Sequence, residues 1–175
     1  MANINGTNGN DTKYGSPGND VFHLKGGNDK GFGGGGSDRM YGENGNDTLN
    51  GESGDDFLFG GAGKDTLKGS FGNDELTGGG GGDKFGFELS NSTLAQYDTI
   101  WDFNRGQGDK IQLGNLKNQL FDHLDDNNDG VLDIDDDNVY DDGDGLELNF
   151  SDYFGKSIYL NVEHVSELQL SDFIV

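Results

Sequence analysis

Gly60-Gly61-Ala62-Gly63-Lys64-Asp65-Thr66-Leu67-Lys68 and Gly78-Gly79-Gly80-Gly81-Gly82-Asp83-Lys84-Phe85-Gly86 follow one pattern, G-G-x-G-x-D-x-U-x with U apolar. Outward from them the same frame holds without an insertion. Asp11, Asp20, Asp29, Asp38, Asp47, Asp56, Asp65, Asp74 and Asp83 stand nine residues apart, each with a Gly two positions earlier. Nine consecutive nonads therefore run from Gly6 to Gly86 and contain 26 of the 33 Gly. A fixed short period of this kind is the signature of a stacked-repeat architecture, which takes precedence over any residue-by-residue reading.

Each part of the nonad has a physical task. Gly permits the left-handed backbone of a tight turn and lets carbonyls approach a common point. Asp supplies a hard carboxylate oxygen. The residues after it suffice for one short strand with one inward side chain. With two nonads per turn, Phe22, Met40, Leu58 and Leu76 stack in one sheet, and Leu49, Leu67 and Phe85 stack in the other. Lys13 and Gly31 interrupt the second row, so the first three nonads are expected to pack less tightly.

Composition points the same way. The 175-residue chain has 33 Asp and Glu against 11 Lys and Arg, a net charge of −22, and only 30% hydrophobic residues. Low hydrophobicity with high net charge does not fold on apolar burial alone, and multivalent cations are the obvious missing component. Such a surface repels nucleic acid and anionic lipid, which need clustered cations. No apolar run is long enough to span a bilayer, so membrane insertion is not expected. The chain has no Cys, which removes disulfide and thiolate-zinc chemistry. Residues 1–10 have neither a charged start nor an apolar stretch of the cleaved-signal kind.

The nonads closely resemble the repeats of the RTX family, hemolysin-type calcium-binding proteins. The resemblance implies an all-β fold: a right-handed parallel β-roll, two nonapeptides per turn, spanning 1–86. It also implies calcium between the loops of copies n and n+2, held by both Asp carboxylates and by backbone carbonyls. Nine copies then make about seven roll sites, in a rod of roughly 22 Å. The stretch from Asp98 to Phe103, followed by Gly108 to Leu113, is similar to the segment after the roll in secreted RTX metalloproteases and mannuronan epimerase R-modules. There an acidic residue completes a last calcium site, which makes Asp98 and Asp102 candidates, with turn and strand-edge roles as the alternative.

Beyond Gly86 the period ends, and short alternating runs at 84–89, 98–103, 110–113, 146–150, 157–162 and 168–175 read as strands. Residues 87–175 are expected to form a small C-terminal β cap over the open end of the roll. Inserted in it, 125–136 matches an EF-hand loop. Asp125, Asn127, Asp129, Asp133 and Asp136 fall at positions 1, 3, 5, 9 and 12, Val131 supplies the position-7 carbonyl, and Gly130 takes the sharp turn. Position 12 is Asp rather than the bidentate Glu, and helices on both sides are not evident, although 116–124 suits a short entering helix. From Gln119 to Gly155 there are 13 acidic residues and no Lys or Arg, so that segment repels itself unless a cation is bound. One further calcium ion is expected there.

The three His show no metalloprotease spacing, and no G-x-S-x-G elbow is present, so no catalytic residue is assigned. The ending Asp172-Phe173-Ile174-Val175 resembles the acidic-plus-apolar terminus of type I secretion substrates. The expectation is a secreted, extracellular, non-enzymatic bacterial calcium-binding module that leaves the cell through type I machinery without a cleaved N-terminal signal. It would be kept unfolded by like charges in the calcium-poor cytosol and folded by calcium outside. Two other readings stay open. One is a polysaccharide-binding auxiliary module like those of alginate epimerases, with Lys25, Lys30, Lys64, Lys68 and Lys84 as a basic stripe. The other is the secretion and folding tail of a larger RTX toxin or protease.

Overall fold

A computed structural model describes residues 1–87, 96–113, 131–132, 139–141, 145–149, 158–165 and 167–174. Each nonad contributes one strand, with its Asp immediately before it, and one further strand precedes the first nonad. β1 (Asn3–Asn5), β3 (Val21–His23), β5 (Arg39–Asn44), β7 (Phe57–Ala62) and β9 (Glu75–Gly80) lie side by side in one sheet. β2 (Thr12–Tyr14), β4 (Lys30–Gly35), β6 (Thr48–Ser53), β8 (Thr66–Phe71) and β10 (Lys84–Gly86) form the other. All these pairings are parallel, in a register of 18 residues such as Met40 to Leu58 and Leu49 to Leu67. The chain is thus a parallel β-solenoid, all-β, with two nonads per turn.

The apolar positions set the interior. Phe22, Met40, Leu58 and Leu76 point inward from the first sheet, and Leu49, Leu67 and Phe85 from the second, all essentially inaccessible. Where Gly31 leaves a gap in the second row, the Met40 Cε fills it, 2.6 Å from where a Cβ would stand, with Leu24 Cδ1 at 3.4 Å. Met suits an irregular gap because its unbranched chain adapts to the space.

Both sheets continue past the last nonad. In the first, β11 (Gln96–Ile100) pairs with β9 and then with β16 (Ile158–Glu163), both parallel. β15 (Gly145–Asn149) and β14 (Val139–Asp141) extend it by antiparallel pairing. In the second, β12 (Lys110–Gln112) follows β10, and β18 (Phe173–Ile174) follows β12. β13 (Val131–Leu132) pairs antiparallel with β17 (Leu168–Gln169). Ile100, Ile111, Leu146, Leu148, Leu160, Val162 and Phe173 prolong the core, closing over the end of the roll as one continuous apolar column. No helix among the described residues is long and apolar enough to cross a membrane.

Candidate metal centre: a ladder of buried carboxylates

The loop before each strand turns sharply and delivers its Asp into a row along the edge of the roll. Seven of the nine carboxylates use Oδ1 in the same way: each accepts the backbone N–H of the Asp 18 residues earlier, as Asp20 Oδ1 accepts from the Ala2 N–H. Asp29 accepts from Asp11, Asp47 from Asp29 and Asp65 from Asp47, each at 2.7 Å, and Asp83 from Asp65 at 2.8 Å. On the other edge Asp38 accepts from Asp20 at 2.7 Å, Asp56 from Asp38 and Asp74 from Asp56, both at 2.8 Å. Each of these carboxylates therefore leans back toward the preceding loop of its own stack.

The second oxygen separates the rungs into two kinds. Oδ2 of Asp29, Asp38, Asp47, Asp56, Asp65, Asp74 and Asp83 is buried with no hydrogen-bond partner. Oδ2 of Asp11 is held by the Thr7 N–H (2.6 Å) and hydroxyl (2.8 Å), and Oδ2 of Asp20 by the Ser16 N–H and hydroxyl (both 2.8 Å). The backbone four residues before the Asp accounts for the difference. In the seven orphaned cases that residue, Lys25, Gly34, Glu43, Glu52, Gly61, Ser70 or Gly79, has φ between 72° and 111°. Thr7 and Ser16 do not, so their N–H groups reach the carboxylate. Left-handed backbone at Lys25, Glu43, Glu52 and Ser70 costs energy that Gly would avoid, and strain of this sort persists where something else requires the geometry.

Buried ionised carboxylate oxygens without partners are costly. Burial raises the Asp56 and Asp65 carboxyls to about 7 and pushes Asp38, Asp47, Asp74 and Asp83 up as well. Hydrogen bonds from Thr7 lower Asp11, and those from Ala2 and Ser16 lower Asp20. A row of desolvated carboxylate oxygens with no protein donor is an environment that a cation would stabilise.

The surrounding donors suit a hard cation. A Cβ at Gly45, Gly63 or Gly81 would collide with the carbonyl of Gly27, Gly45 or Gly63, so one carbonyl per loop is stacked along the row. A Cβ at Gly33 or Gly60 would meet both the Oδ2 of the loop's own Asp and the carbonyl of Gly51 or Gly78 in the next turn. Among the described residues no three acidic or imidazole side chains converge on one point. The oxygen set is instead mixed, carboxylate and carbonyl, which is what calcium takes.

Of the two candidates beyond the repeats, Asp98 continues the ladder. Its Oδ1 accepts the Asp74 N–H at 3.0 Å, and burial and the Asp74 charge push its carboxyl up. Asp102 takes another role, accepting the N–H groups of Gly78 (2.8 Å) and Gly79 (2.7 Å). The rung after Asp83 is Asp109, which sequence reasoning did not single out. Its Oδ1 accepts the Asp83 N–H at 2.9 Å, and its Oδ2 accepts from Asn104 N–H at 2.9 Å. With its amide nitrogen facing the roll, Gln107 donates to the Gly79 and Gly81 carbonyls at 3.2 and 3.1 Å. The Gly108-Asp109 pair, a Gly before an Asp ahead of a strand, was the available signal.

The EF-hand-like ligands Asp125, Asn127, Asp129, Asp133 and Asp136 lie outside the described residues, while the Val131 backbone lies in β13, paired with Gln169. In the terminal tetrad, Asp172 is fully buried and forked by Arg105, Nη2 to Oδ2 at 2.7 Å and Nε to Oδ1 at 3.0 Å. Phe173 and Ile174 form β18, and Val175 lies outside the described residues.

The RTX calcium-binding nonapeptide repeat (4 copies) matches residues 3–31, 32–67 and 59–94, just over half of the chain. The chain belongs to the RTX calcium-binding repeat family. No curated protein sequence matches it. Among solved structures it is similar to the AlgE6R3 subunit of the mannuronan C5-epimerase of Azotobacter vinelandii, at 27% identity and a TM-score of 0.42. That alignment covers 97% of this chain and 80% of the other. The RTX loops are calcium-binding repeats, in keeping with their mixed carboxylate and carbonyl donors.

Proposed function

We propose that this chain is a non-enzymatic extracellular module whose folding is switched by calcium after type I secretion. The observation that carries the reading is the set of seven buried, unpartnered Oδ2 atoms. Each belongs to the later member of one of the seven same-stack loop pairs, so one calcium per pair meets one orphaned oxygen. The ligands are Asp29, Asp47, Asp65 and Asp83 in one stack and Asp38, Asp56 and Asp74 in the other, together with loop carbonyls. Asp11 and Asp20 begin the stacks and contribute backbone rather than a metal-facing carboxylate. The loop over 125–136 takes one more ion through Asp125, Asn127, Asp129, Val131, Asp133 and Asp136.

Metal binding of this type is folding free energy, because the ligands come together only in the folded chain. Without cations, 22 net negative charges and a Gly-rich backbone oppose collapse. Eight divalent ions would reduce the net charge to about −6, ordinary for a soluble domain. The domain division follows the same logic, with the roll over 1–86 and a β cap over 87–175 that includes the acidic loop and the terminal secretion signal.

The test is far-UV circular dichroism of the full chain, chelated and then titrated with calcium, with magnesium as control. The expected result is a coil-to-β transition driven by calcium and not by magnesium, whose octahedral demand the carbonyl-rich loops do not meet. A chain already folded in chelator would overturn the switch.

A further inference from the structure

The outward face of the first sheet is aromatic and nearly neutral in a strongly acidic chain. Strand register places Val21, Arg39, Phe57, Glu75 and Thr99 in one row across β3, β5, β7, β9 and β11. A second row, two residues on, holds His23, Tyr41, Phe59, Thr77 and, just past β11, Trp101. Both rows alternate with the inward Phe22, Met40, Leu58, Leu76 and Ile100, so their side chains point away from the core. Arg39 and Glu75 are the only formally charged residues in the two rows, although acidic residues outnumber basic ones by 33 to 11 in the chain. The rings form a continuous stripe. His23 stacks on Tyr41 with centroids 5.1 Å apart, Tyr41 meets Phe57 at 6.2 Å, and Trp101 is 42% exposed.

Arg39 and Glu75 are both exposed, and neither has an ion-pair partner among the described residues. They stand one strand to either side of Phe57 in the same row. That placement is self-complementary. A two-fold axis laid along β7 turns a second copy face to face with the first, keeps the rows in register and reverses the order of the strands. β5 then lies over β9 of the second copy and β3 over its β11. Arg39 of each copy meets Glu75 of the other, so two ion pairs form in the row. At the axis Phe57 lies on Phe57 and Phe59 on Phe59, while Tyr41 covers Thr77 and His23 covers Trp101. This is the isologous contact of a C2 pair and the aligned face-to-face packing of two sheets.

One like-charge encounter remains, because Asp55 lies on the same axis two residues before Phe57. Its Oδ1 is turned into its own loop, where it accepts the Asn73 N–H at 2.9 Å. The second sheet has no comparable symmetry, since its outward row with Lys30, Lys84 and Lys110 carries cations and no carboxylate. Seven adjacent strands, from β1 to β16, at about 4.8 Å each, and five residues at about 3.3 Å, give a footprint of roughly 550 Å² per copy. The total of about 1,100 Å² is at the low end for a specific interface.

We propose that the calcium-loaded chain pairs with a second copy of itself through the outward face of the first sheet, as a two-fold dimer of micromolar affinity. The proposal rests on the calcium-folded reading above. Two chains of net charge −22 repel one another, whereas eight bound ions leave about −6 on each, and salt screens the remaining charges outside the contact.

The test is analytical ultracentrifugation of the full chain at saturating calcium over a series of concentrations. Circular dichroism on each sample establishes first that the chain is folded, so a failed switch and a failed contact are told apart. Wild type is expected to show a monomer–dimer equilibrium. Each substitution enters a two-fold contact twice, so Arg39→Glu and Glu75→Arg are each expected to weaken pairing roughly tenfold or more. Mixing these two variants restores it, because every contact then sets a Glu against an Arg. Asp55→Asn should tighten pairing about threefold, and Lys84→Gln on the opposite sheet should leave it unchanged. Arg39→Gln and Glu75→Gln, expected to weaken it about threefold each, keep the test intact if a charge reversal fails to fold. Folded wild type that stays monomeric throughout would overturn the proposal. So would pairing that survives both reversals, a mixture that fails to restore it, or growth beyond the dimer, which marks an open contact between unlike faces.

Discussion

The inner loops of the roll and its end loops share one sequence pattern but differ in chemistry. In the loops that end at Asp29 through Asp83, one carboxylate oxygen bonds the preceding turn and the other has no protein partner. In those that end at Asp11, Asp20 and Asp109, the second oxygen is held by Thr7, Ser16 or Asn104. A repeat unit therefore does not carry its function by itself. Its carboxylate is available to a cation only where another turn lies beneath it and where left-handed backbone four residues earlier withholds the local N–H. At the ends, hydroxyl and N–H groups hold the second oxygen, and the ladder closes on protein donors.

The most severe break of this contrast is a methyl group placed at equivalent glycines. Gly63 has φ 136° and a Cβ there would strike the Gly45 carbonyl, whereas a Cβ at Gly18 meets nothing within 4 Å. Gly63→Ala is expected to cost about 3 kcal/mol or more, raising the calcium midpoint of folding. Gly18→Ala should stay within about 0.5 kcal/mol of wild type. Equal effects in parallel calcium titrations would remove the distinction between inner and end loops.

Protons offer the next test, with opposite signs at the two kinds of rung. Asp56 and Asp65 have folded values of about 7 against an ordinary 3.8. A raised folded value means that protonation favours the fold. Their contribution is complete below the ordinary value and is lost as pH rises through about 7. The chelated chain should therefore show more strand signal near pH 5 than near pH 8, while the calcium-loaded chain should release its ions on acidification, as protons displace them. Asp11 and Asp20, lowered by their hydrogen bonds, act the other way. A chelated chain whose circular dichroism is flat over this range would contradict the desolvated ladder.

Smaller effects sharpen the picture. Thr7→Ala removes a capping hydroxyl and should cost about 1 kcal/mol, as for a helix cap, without altering the number of bound ions. Glu43→Gly relieves a left-handed non-Gly residue inside the roll and should stabilise the calcium-loaded chain by about 0.5–1 kcal/mol. Thermal melts at fixed calcium read both.

The period of nine made the solenoid, its two apolar rows and the Asp ladder legible before any coordinates. The rule is local and strict, and one slipped residue would have moved Leu58 or Leu67 out of the core. The division of the ladder was not legible. Thr7 and Ser16 look like ordinary variants of a Gly position, and only their backbone conformation shows that they cap. Asp109 escaped because the 26-residue step from Asp83 breaks the period while the hydrogen bond keeps it. The strands at 110–113, 146–150 and 157–162 were readable from alternation. β14 was not, because Val139-Tyr140-Asp141 is too short and acidic to alternate. The row that brings Lys30, Lys84 and Lys110 onto one line of the second sheet needed register, since these lysines are scattered through residues 30–110.

The count of bound calcium tests the central claim most directly. Native mass spectrometry at saturating calcium compares wild type with Asp56→Asn/Asp74→Asn and with Asp11→Asn/Asp20→Asn. Asn keeps Oδ1 as acceptor of the ladder hydrogen bond and replaces the orphaned Oδ2. The prediction is two ions fewer in the inner pair and the wild-type count in the end pair. Equal losses in both, or no loss in the inner pair, would contradict the assignment of calcium to the unpartnered carboxylate oxygens.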